Sequence, residues 1–559
     1  MALNSSGPLS FGGATTGQSI NLELGVSATA TASINSASFR TLAGVPSGAI
    51  SVSNFYGKSN TVGNYSLNFC TSATWYPADN SKGIDSSNNF WSITSAGGSF
   101  AAGNWILNKW NSSNTFQSSR NFVTSPSSPF TTSLSINVSG TQSVGFDNNI
   151  YFSGQQGGGQ SGAGGFVNLN GASIVKWSPS GVGTWTAGKT IYTFTSYYCG
   201  NTMYAAYVSS KAVCVASDGI VYWYPRQFWL YITGYDCCGN PLYSSNTYMM
   251  IGSLGSSLNV STTRKPSDVT GQAGQMSAFH GGTNAAGVNF SATAVQVPSS
   301  GGFVTYIGKR IAEAGNWAWA YTYRVTFGGT PQVIYNDAGN SDYVDSTGAF
   351  IAIDYYNQYR LMKVDTNGTF QWGAEYVFPG YTYGINMKSA CIDSSDNVYL
   401  IGLAQSYYTN PYVILVLKIN SSGVLQWSRI LTSNTTPSVT GDEQNLLSPA
   451  IAARGSDLVI TFMTRNPNST SSSVLGTVTY PQSGSFTGST NVNFPGSADY
   501  YTFQWATLTT TVRAGALVSA TSQTTTLPAA SSPLGGFSSV NINNPSSSTL
   551  TIATTSVNY

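Results

Sequence analysis

Charge is what this chain has least of. Among 559 residues there are 22 Lys and Arg against 20 Asp and Glu, and charged residues make up 8%, where an ordinary soluble domain carries roughly 25%. Long surface helices, which normally carry Glu, Lys and Arg, are nearly excluded. Solubility has to come from Ser, Thr, Asn, Gln and Gly. A formal net charge of +2 offers no electrostatic footprint for a polyanion, so nucleic-acid binding is not expected. No run approaches the roughly 18 to 20 consecutive apolar residues that span a bilayer, so membrane insertion is not expected either. The start MALNSSGPLSFGG has neither the cationic stretch nor the apolar core of an export signal.

Groups that do chemistry are equally sparse. The six cysteines, Cys70, Cys199, Cys214, Cys237, Cys238 and Cys391, are scattered without metal-ligand spacing and read as thiols made in a reducing cytoplasm. The one histidine, His280, lies in SAFHGGTNAAG with no GxSxG elbow to partner it. Glu23, Glu313, Glu375 and Glu443 are dispersed, and Asp442 and Glu443 in TGDEQN read as a solvated loop. Asp393 and Asp396 crowd the turn IDSSDN, but no twelve-residue calcium loop surrounds them, and side-chain capping of the turn is the expected role. The run QQGGGQSGAGG has no Lys-Ser or Lys-Thr ending and is no phosphate loop. No enzyme activity, metal or cofactor is expected.

What is abundant is aromatic residues at 13%, 60 glycines and two short patterns that alternate along residues 84–487. The first is an acidic or small turn followed by a strand: IDSSNNFWSI, GFDNNIYFSG, ASDGIVYW, VPSSGGFVTYIG, VDSTGAFIAI, IDSSDNVYLIG and ARGSDLVITF. The second joins a strand end to a turn and a new strand: KWNSSNTFQS, KWSPSGVGTW, GYDCCGNPLY, RVTFGGTPQV, KVDTNGTFQW, KINSSGVLQW and TYPQSGSFTG. In both, Asp, Asn or Ser closes the turn through its side chain and Gly or Asn supplies a positive φ. Apolar alternation follows, as in VYLIG and VILVLK, so each pair of patterns predicts two hairpins, or four strands.

Successive copies of the first pattern lie about 45 to 80 residues apart, bracketing the spacing of four-stranded propeller repeats. Asp393 to Trp427, and Asp345 to Trp372, resemble the bacterial β-propeller repeat, in which an Asp-turn strand is followed by a Lys-hydrophobic-Asp turn and a Trp strand. The resemblance implies an all-β fold with a seven-bladed propeller, six to eight blades bracketing the count, over residues 61–495. A strand from residues 63–75 or 500–512 is expected to close the ring. Recurrent Trp110, Trp177, Trp372 and Trp427 read as packing between blades. Lys109, Lys176, Lys363 and Lys418 read as a structural position with the stem over an aromatic. Residues 496–559, rich in Thr and Ser, read as a small β appendage or closing strand with a tail.

Residues 1–60 differ from the array. Three strings, GPLSFGGATTGQSINLELG, ASINSASFRTLAG and GAISVSNFYGKS, each join a strand-like start to a turn, in a segment too small to bury a core alone. The opening MALNSSGPLSFGGATTGQSINLELG with the closing GAISVSNFYGKS is similar to the amino-terminal module of virion structural proteins of tailed bacteriophages. That resemblance, which covers about a tenth of the chain, implies an adaptor to other virion proteins of the tail, baseplate or neck, in multiple copies. Such a chain would be made in the host cytoplasm and exposed on the particle. Its candidate docking contacts are Leu9, Ile20, Leu22, Leu24, Ile34, Phe39, Leu42, Ile50, Val52, Phe55 and Tyr56. Arg40 and Lys58 read as solvated.

A dense aromatic group, with Trp223, Tyr224, Trp229, Tyr231, Trp317 and Trp319 as candidate contacts, is expected to serve either as core or as a platform for a host-surface glycan. Two other classes compete with a virion protein. A bacterial surface adhesin or carbohydrate-binding propeller calls for an export signal, and a polysaccharide-degrading propeller enzyme calls for an acid-base cluster at the ring centre.

Overall fold

The computed structural model describes short elements between Leu3 and Tyr56 and strands from Tyr65–Phe69 through Thr551–Thr555. Side chains are described chiefly within residues 3–56, 83–92, 107–118, 359–434, 446–464, 474–492 and 500–522. The array is built of β-strands in antiparallel sheets. Among the described residues, helix is confined to Ile20–Glu23, Ala37–Ala43 and the 3-10 turn Val52–Phe55.

All seven copies of the first pattern sit between two antiparallel strands. The series starts with Trp75–Ile84 and Phe90–Ala96, passes through Tyr383–Ile392 and Val398–Gln405, and ends with Leu447–Arg454 and Asp457–Arg465. Six copies of the second pattern are hairpin turns as well. The seventh behaves differently. After Ser473–Pro481 the chain leaves for Gly488–Asn493, which pairs with Tyr500–Thr507 in another sheet. The edge it vacates is taken by Tyr65–Phe69, with Tyr65 opposite Val478 and Phe69 opposite Val474.

Alternation along the strands decides which sheets stack. In Val398–Gln405 seven of eight residues are buried, because both faces are covered. Tyr399, Ile401 and Leu403 pack toward Ile451, Leu458, Ile460, Phe462, Val474 and Val478 of the 447–481 sheet. Val398, Leu400 and Ala404 pack the other way, toward Tyr359, Leu361, Ala374 and Tyr376 of the 358–377 strands. Val413–Ile419 divides likewise, Ile414 and Val416 to one side and Leu415, Leu417 and Ile419 to the other. Each such fully buried side chain contributes about 1.5–3 kcal/mol. The far face of the 447–481 sheet, through Ala452, Val459, Met463 and Leu475, packs on Phe90 and Trp110 near the start of the array.

The carboxy-terminal strands are woven into these sheets. Tyr500–Thr507 adds to the outer edge of Leu425–Thr436, and Thr511–Ser522 lies between Trp317–Phe327 and Phe370–Val377. Between the two strands, Ser428 holds the crossing: its Oγ donates to the Leu508 carbonyl at 2.6 Å, and the Leu508 amide donates to its carbonyl at 3.2 Å. Of the two segments predicted to complete the array, 65–69 fills the vacated edge. Residues 500–507 reinforce it from behind, with Tyr65 stacked on Phe503 at 5.0 Å and the Trp505 indole donating to the Tyr65 hydroxyl at 3.0 Å.

Candidate functional site

The first-pattern turns are held mainly by their own side chains, and the first two are also joined, the Ser86 amide donating to Asn148 Oδ1 at 3.0 Å. The Asp393 carboxylate accepts from the Ser395 and Asn397 amides at 2.8 and 3.0 Å, from the Asn397 side chain at 2.9 Å and from the Tyr399 hydroxyl at 2.9 Å. Asp85 repeats the arrangement with Ser87, Asn89 and the Trp91 indole. Asn88, Asn148 and Asp396 adopt φ near +60°, the left-handed conformation that Asn and Asp tolerate best among residues with a Cβ. Burial pushes the Asp393 carboxyl up, but the bonds from Asn397, Tyr399 and Ser395 outweigh it and hold the group below its ordinary range. The same balance acts on Asp85. These carboxylates serve the backbone, as expected of turn capping, and among the described residues no group of three His, Cys, Asp or Glu is placed to hold a metal.

The recurrent Lys and Trp of the second pattern reach into the next unit. Trp372 Nε1 donates to the Ser421 carbonyl at 3.0 Å, joined by Lys363 Nζ at 3.5 Å. One unit on, Trp427 Nε1 and Lys418 Nζ both donate to the Gln482 carbonyl at 3.1 Å. Each indole lies over the turn glycine beside that carbonyl. A Cβ on Gly423 would fall 2.6 Å from Trp372, and one on Gly484 would fall 2.6 Å from Trp427. The lysines also cover aromatics, Lys418 over Tyr399 at 5.3 Å and Lys109 over Trp91 at 5.0 Å. Trp110 is fully buried between Phe90 and Phe116, and the Trp177 side chain lies outside the described residues. From the 447–481 sheet, Arg454 donates to the Asn111 carbonyl at 3.0 Å, so the corresponding turn near the start of the array is also gripped by a cation.

Buried charge appears once more, as a ladder across three strands. Glu375 accepts from Arg360 at 2.7 Å and from Arg513 at 2.9 Å, with Glu375 and Arg360 both almost fully buried. Arg360 also stacks over Phe327 at 4.9 Å. The arrangement ties the late strand Thr511–Ser522 to Phe370–Val377.

Residues 1–56 close a small core of their own, contrary to the expectation that they are too small to do so. Leu3, Ile20, Phe39, Leu42, Ala43 and Phe55 are buried together, with Leu9, Ile34, Val45 and Ile50 packed against them. Phe39 meets Phe11 at 5.9 Å and Phe55 at 6.0 Å. Helices replace the strand-like starts read from the sequence, because Phe39, Leu42 and Ala43 share one face at helical spacing. Arg40 is no solvated cation. Its guanidinium donates to the carbonyls of Val45 and Gly48 at 3.2 Å. Tyr56 ties the segment's ends by donating to the Gly7 carbonyl at 2.6 Å. Of the predicted docking residues, Ile20, Phe39, Leu42 and Phe55 therefore face inward, while Val52 and Tyr56 are exposed, as is Phe11. The side chain of Leu22, and Leu24 and Lys58 entirely, lie outside the described residues.

The aromatic group read as a glycan platform falls on Val221–Tyr235 and Trp317–Phe327, but the side chains of Trp223, Tyr224, Trp229, Tyr231, Trp317 and Trp319 lie outside the described residues, as does that of His280. Sequence reasoning missed another cluster, Tyr383, Tyr407 and Tyr408, whose rings gather in solvent. The doublet SYYTNPY was its only signal. The chain matches no protein-family model and no curated protein.

Proposed function

We propose that this chain is a non-enzymatic structural protein of a tailed-bacteriophage virion. Residues 1–60 dock it to a tail, baseplate or neck component, in several copies per particle, and residues 61–495 form a seven-bladed β-propeller held outward for host-surface attachment or for support of fibres. The amino-terminal string carries the virion reading, and it is supported by three of its residues: Ile20 and Phe55 belong to the small core and Tyr56 donates to the Gly7 carbonyl. A prefolded plug with Phe11, Val52 and Tyr56 on its surface suits docking with little ordering entropy.

The propeller reading is supported by seven pattern-matched hairpins, by sheets stacked face to face, by the 447–481 sheet packing on Phe90 and Trp110, and by Tyr65–Phe69 pairing with the edge of Ser473–Pro481 while Thr551–Thr555 pairs on its other side. Ring closure is the arrangement that leaves the fewest bare strand edges. Cys237, Cys238 and Cys391 form no disulfide, which suits synthesis in a host cytoplasm.

Antibodies raised against residues 61–495 and applied to intact tailed particles from the same source test the assignment. Label on the tail, baseplate or neck is expected, and unlabelled particles overturn it. Averaged electron micrographs of the purified chain are expected to show a wheel of six to eight spokes. An open stack retires the propeller.

A further inference from the structure

We infer that Tyr383, Tyr407 and Tyr408 form a stacking platform for a neutral oligosaccharide. This deepens the attachment role proposed above by giving it a site and a ligand class.

The three rings come together because of the strand order. Tyr383 opens Tyr383–Ile392, and Tyr407 and Tyr408 lie on the loop between Val398–Gln405 and Val413–Ile419. Tyr383 and Gln405 are cross-strand partners, so the cluster sits at the end of the sheet opposite the Asp393 and Asn420 turns. Ring centroids are 4.5 Å apart for Tyr407 and Tyr408, 5.5 Å for Tyr383 and Tyr407, and 6.3 Å for Tyr383 and Tyr408. Yet the residues are 41%, 49% and 63% exposed. Three aromatics gathered in water instead of packed on the core form an unpartnered patch of the kind that marks a binding surface.

Hydrogen bonds join the described residues of the loop. The Asn410 amide donates to the Tyr407 carbonyl at 2.9 Å, its side chain donates to Ser406 Oγ at 2.5 Å, and Gln405 Nε2 donates to the Asn410 carbonyl at 2.5 Å. Residues tied in this way have less conformational freedom to lose on binding.

Chemistry and size select the occupant. Aromatic faces accept the C–H faces of sugar rings, and phenol hydroxyls pair with sugar hydroxyls. Residues 379–387 and 404–417 contain no Asp, Glu, Lys, Arg or His, so nothing on the two segments that build the patch would draw a carboxylate, sulfate or phosphate. Taking about 200 Å² for a tyrosine gives an exposed area of about 300 Å². That is well below the ~800 Å² per partner of a stable protein interface and matches one or two pyranose rings.

Saturation-transfer NMR on the full chain tests this, using cellotetraose, maltotetraose and a galactotetraose as neutral probes and sialyllactose as the acidic control. Transfer to ring C–H protons of at least one neutral probe is expected. In the Tyr407→Ala/Tyr408→Ala variant binding should weaken by at least about tenfold. Tyr407→Phe/Tyr408→Phe should retain most of it, and the circular dichroism of both should stay unchanged because the rings are exposed. Absence of transfer from all neutral probes, a preference for sialyllactose, or equal transfer in the alanine variant overturns the platform. Labelled tails without saccharide transfer retire the platform alone, whereas transfer with unlabelled tails retires the virion assignment and leaves the platform standing.

Discussion

Two side chains serving one carbonyl should be energetically coupled, and Trp427 with Lys418 on Gln482 is the best-formed case. Trp427→Phe keeps a ring over Gly484 and loses one donor. Since Lys418 still reaches the carbonyl at 3.1 Å, the expected cost is that of one ordinary hydrogen bond, about 1 kcal/mol. Lys418→Met keeps the stem and loses the second donor together with the contact to Tyr399, again about 1 kcal/mol. In the double variant the part-buried carbonyl has lost both, and an acceptor left unserved there costs about 1 kcal/mol more than the two single losses together, within the ~1–3 kcal/mol of a stranded polar group. The double variant should therefore be about 3 kcal/mol less stable than wild type, with a coupling of about 1 kcal/mol, clear of the ~0.3–0.5 kcal/mol scatter of independent sites. Urea unfolding followed by circular dichroism measures it. At Ser421 the coupling should be smaller, because Lys363 stands at 3.5 Å, the outer limit of a hydrogen bond. Strict additivity at Gln482, or a larger coupling at Ser421, refutes the reasoning.

Other perturbations follow from the same contacts. Gly402→Ala would drive a methyl group into the Tyr359 hydroxyl and the Asn386 carbonyl, so a loss of at least about 1–3 kcal/mol is expected in urea unfolding, with partial recovery when Tyr359→Phe is added. Glu375→Gln strands the buried Arg360 guanidinium and should cost about 3–5 kcal/mol, whereas Arg513→Met, at the half-exposed end of the same ladder, should cost far less. Because their folded pKa values are depressed, Asp85 and Asp393 stabilise the chain above the unfolded carboxylate pKa of about 4, and this is lost as pH falls through their folded values. In the Asp393→Asn variant the acid limb of the stability-pH curve should flatten. Phe39→Ala removes the ring shared by Phe11 and Phe55 and should make residues 1–56 the first site of limited proteolysis while circular dichroism of the sheets stays unchanged.

The parts legible in the sequence are those whose chemistry is local. Asp393 serves atoms two to six residues away, so its turn announces itself in IDSSDNVYLIG. The Lys-Trp position was visible as a recurrence, although its acceptor, 49 to 64 residues on, was not. Long-range strand partners were less legible. Nothing in YTFQWATLTTTVRAGALVSA says that its halves belong to two different sheets, because alternation fixes which face is buried and leaves the neighbour open. In the first 56 residues frequent Ser and Gly masked the helical spacing of Phe39, Leu42 and Ala43. The exposed tyrosines were invisible for the opposite reason, since periodicity locates what is buried and is silent about what stays wet.

The ladder between Tyr65–Phe69 and Ser473–Pro481 also sets a timetable. Tyr65 and Val478 are partners yet stand 478 − 65 = 413 positions apart, so at roughly 5–20 residues per second of translation the first strand leaves the ribosome some 20–80 s before its mate exists. Throughout that delay the nascent chain carries an unmated edge, open to pairing with neighbours on the same polysome. This sheet can be sealed only after residue 478 has been made, which makes its completion the step at which products stalled before that point betray themselves.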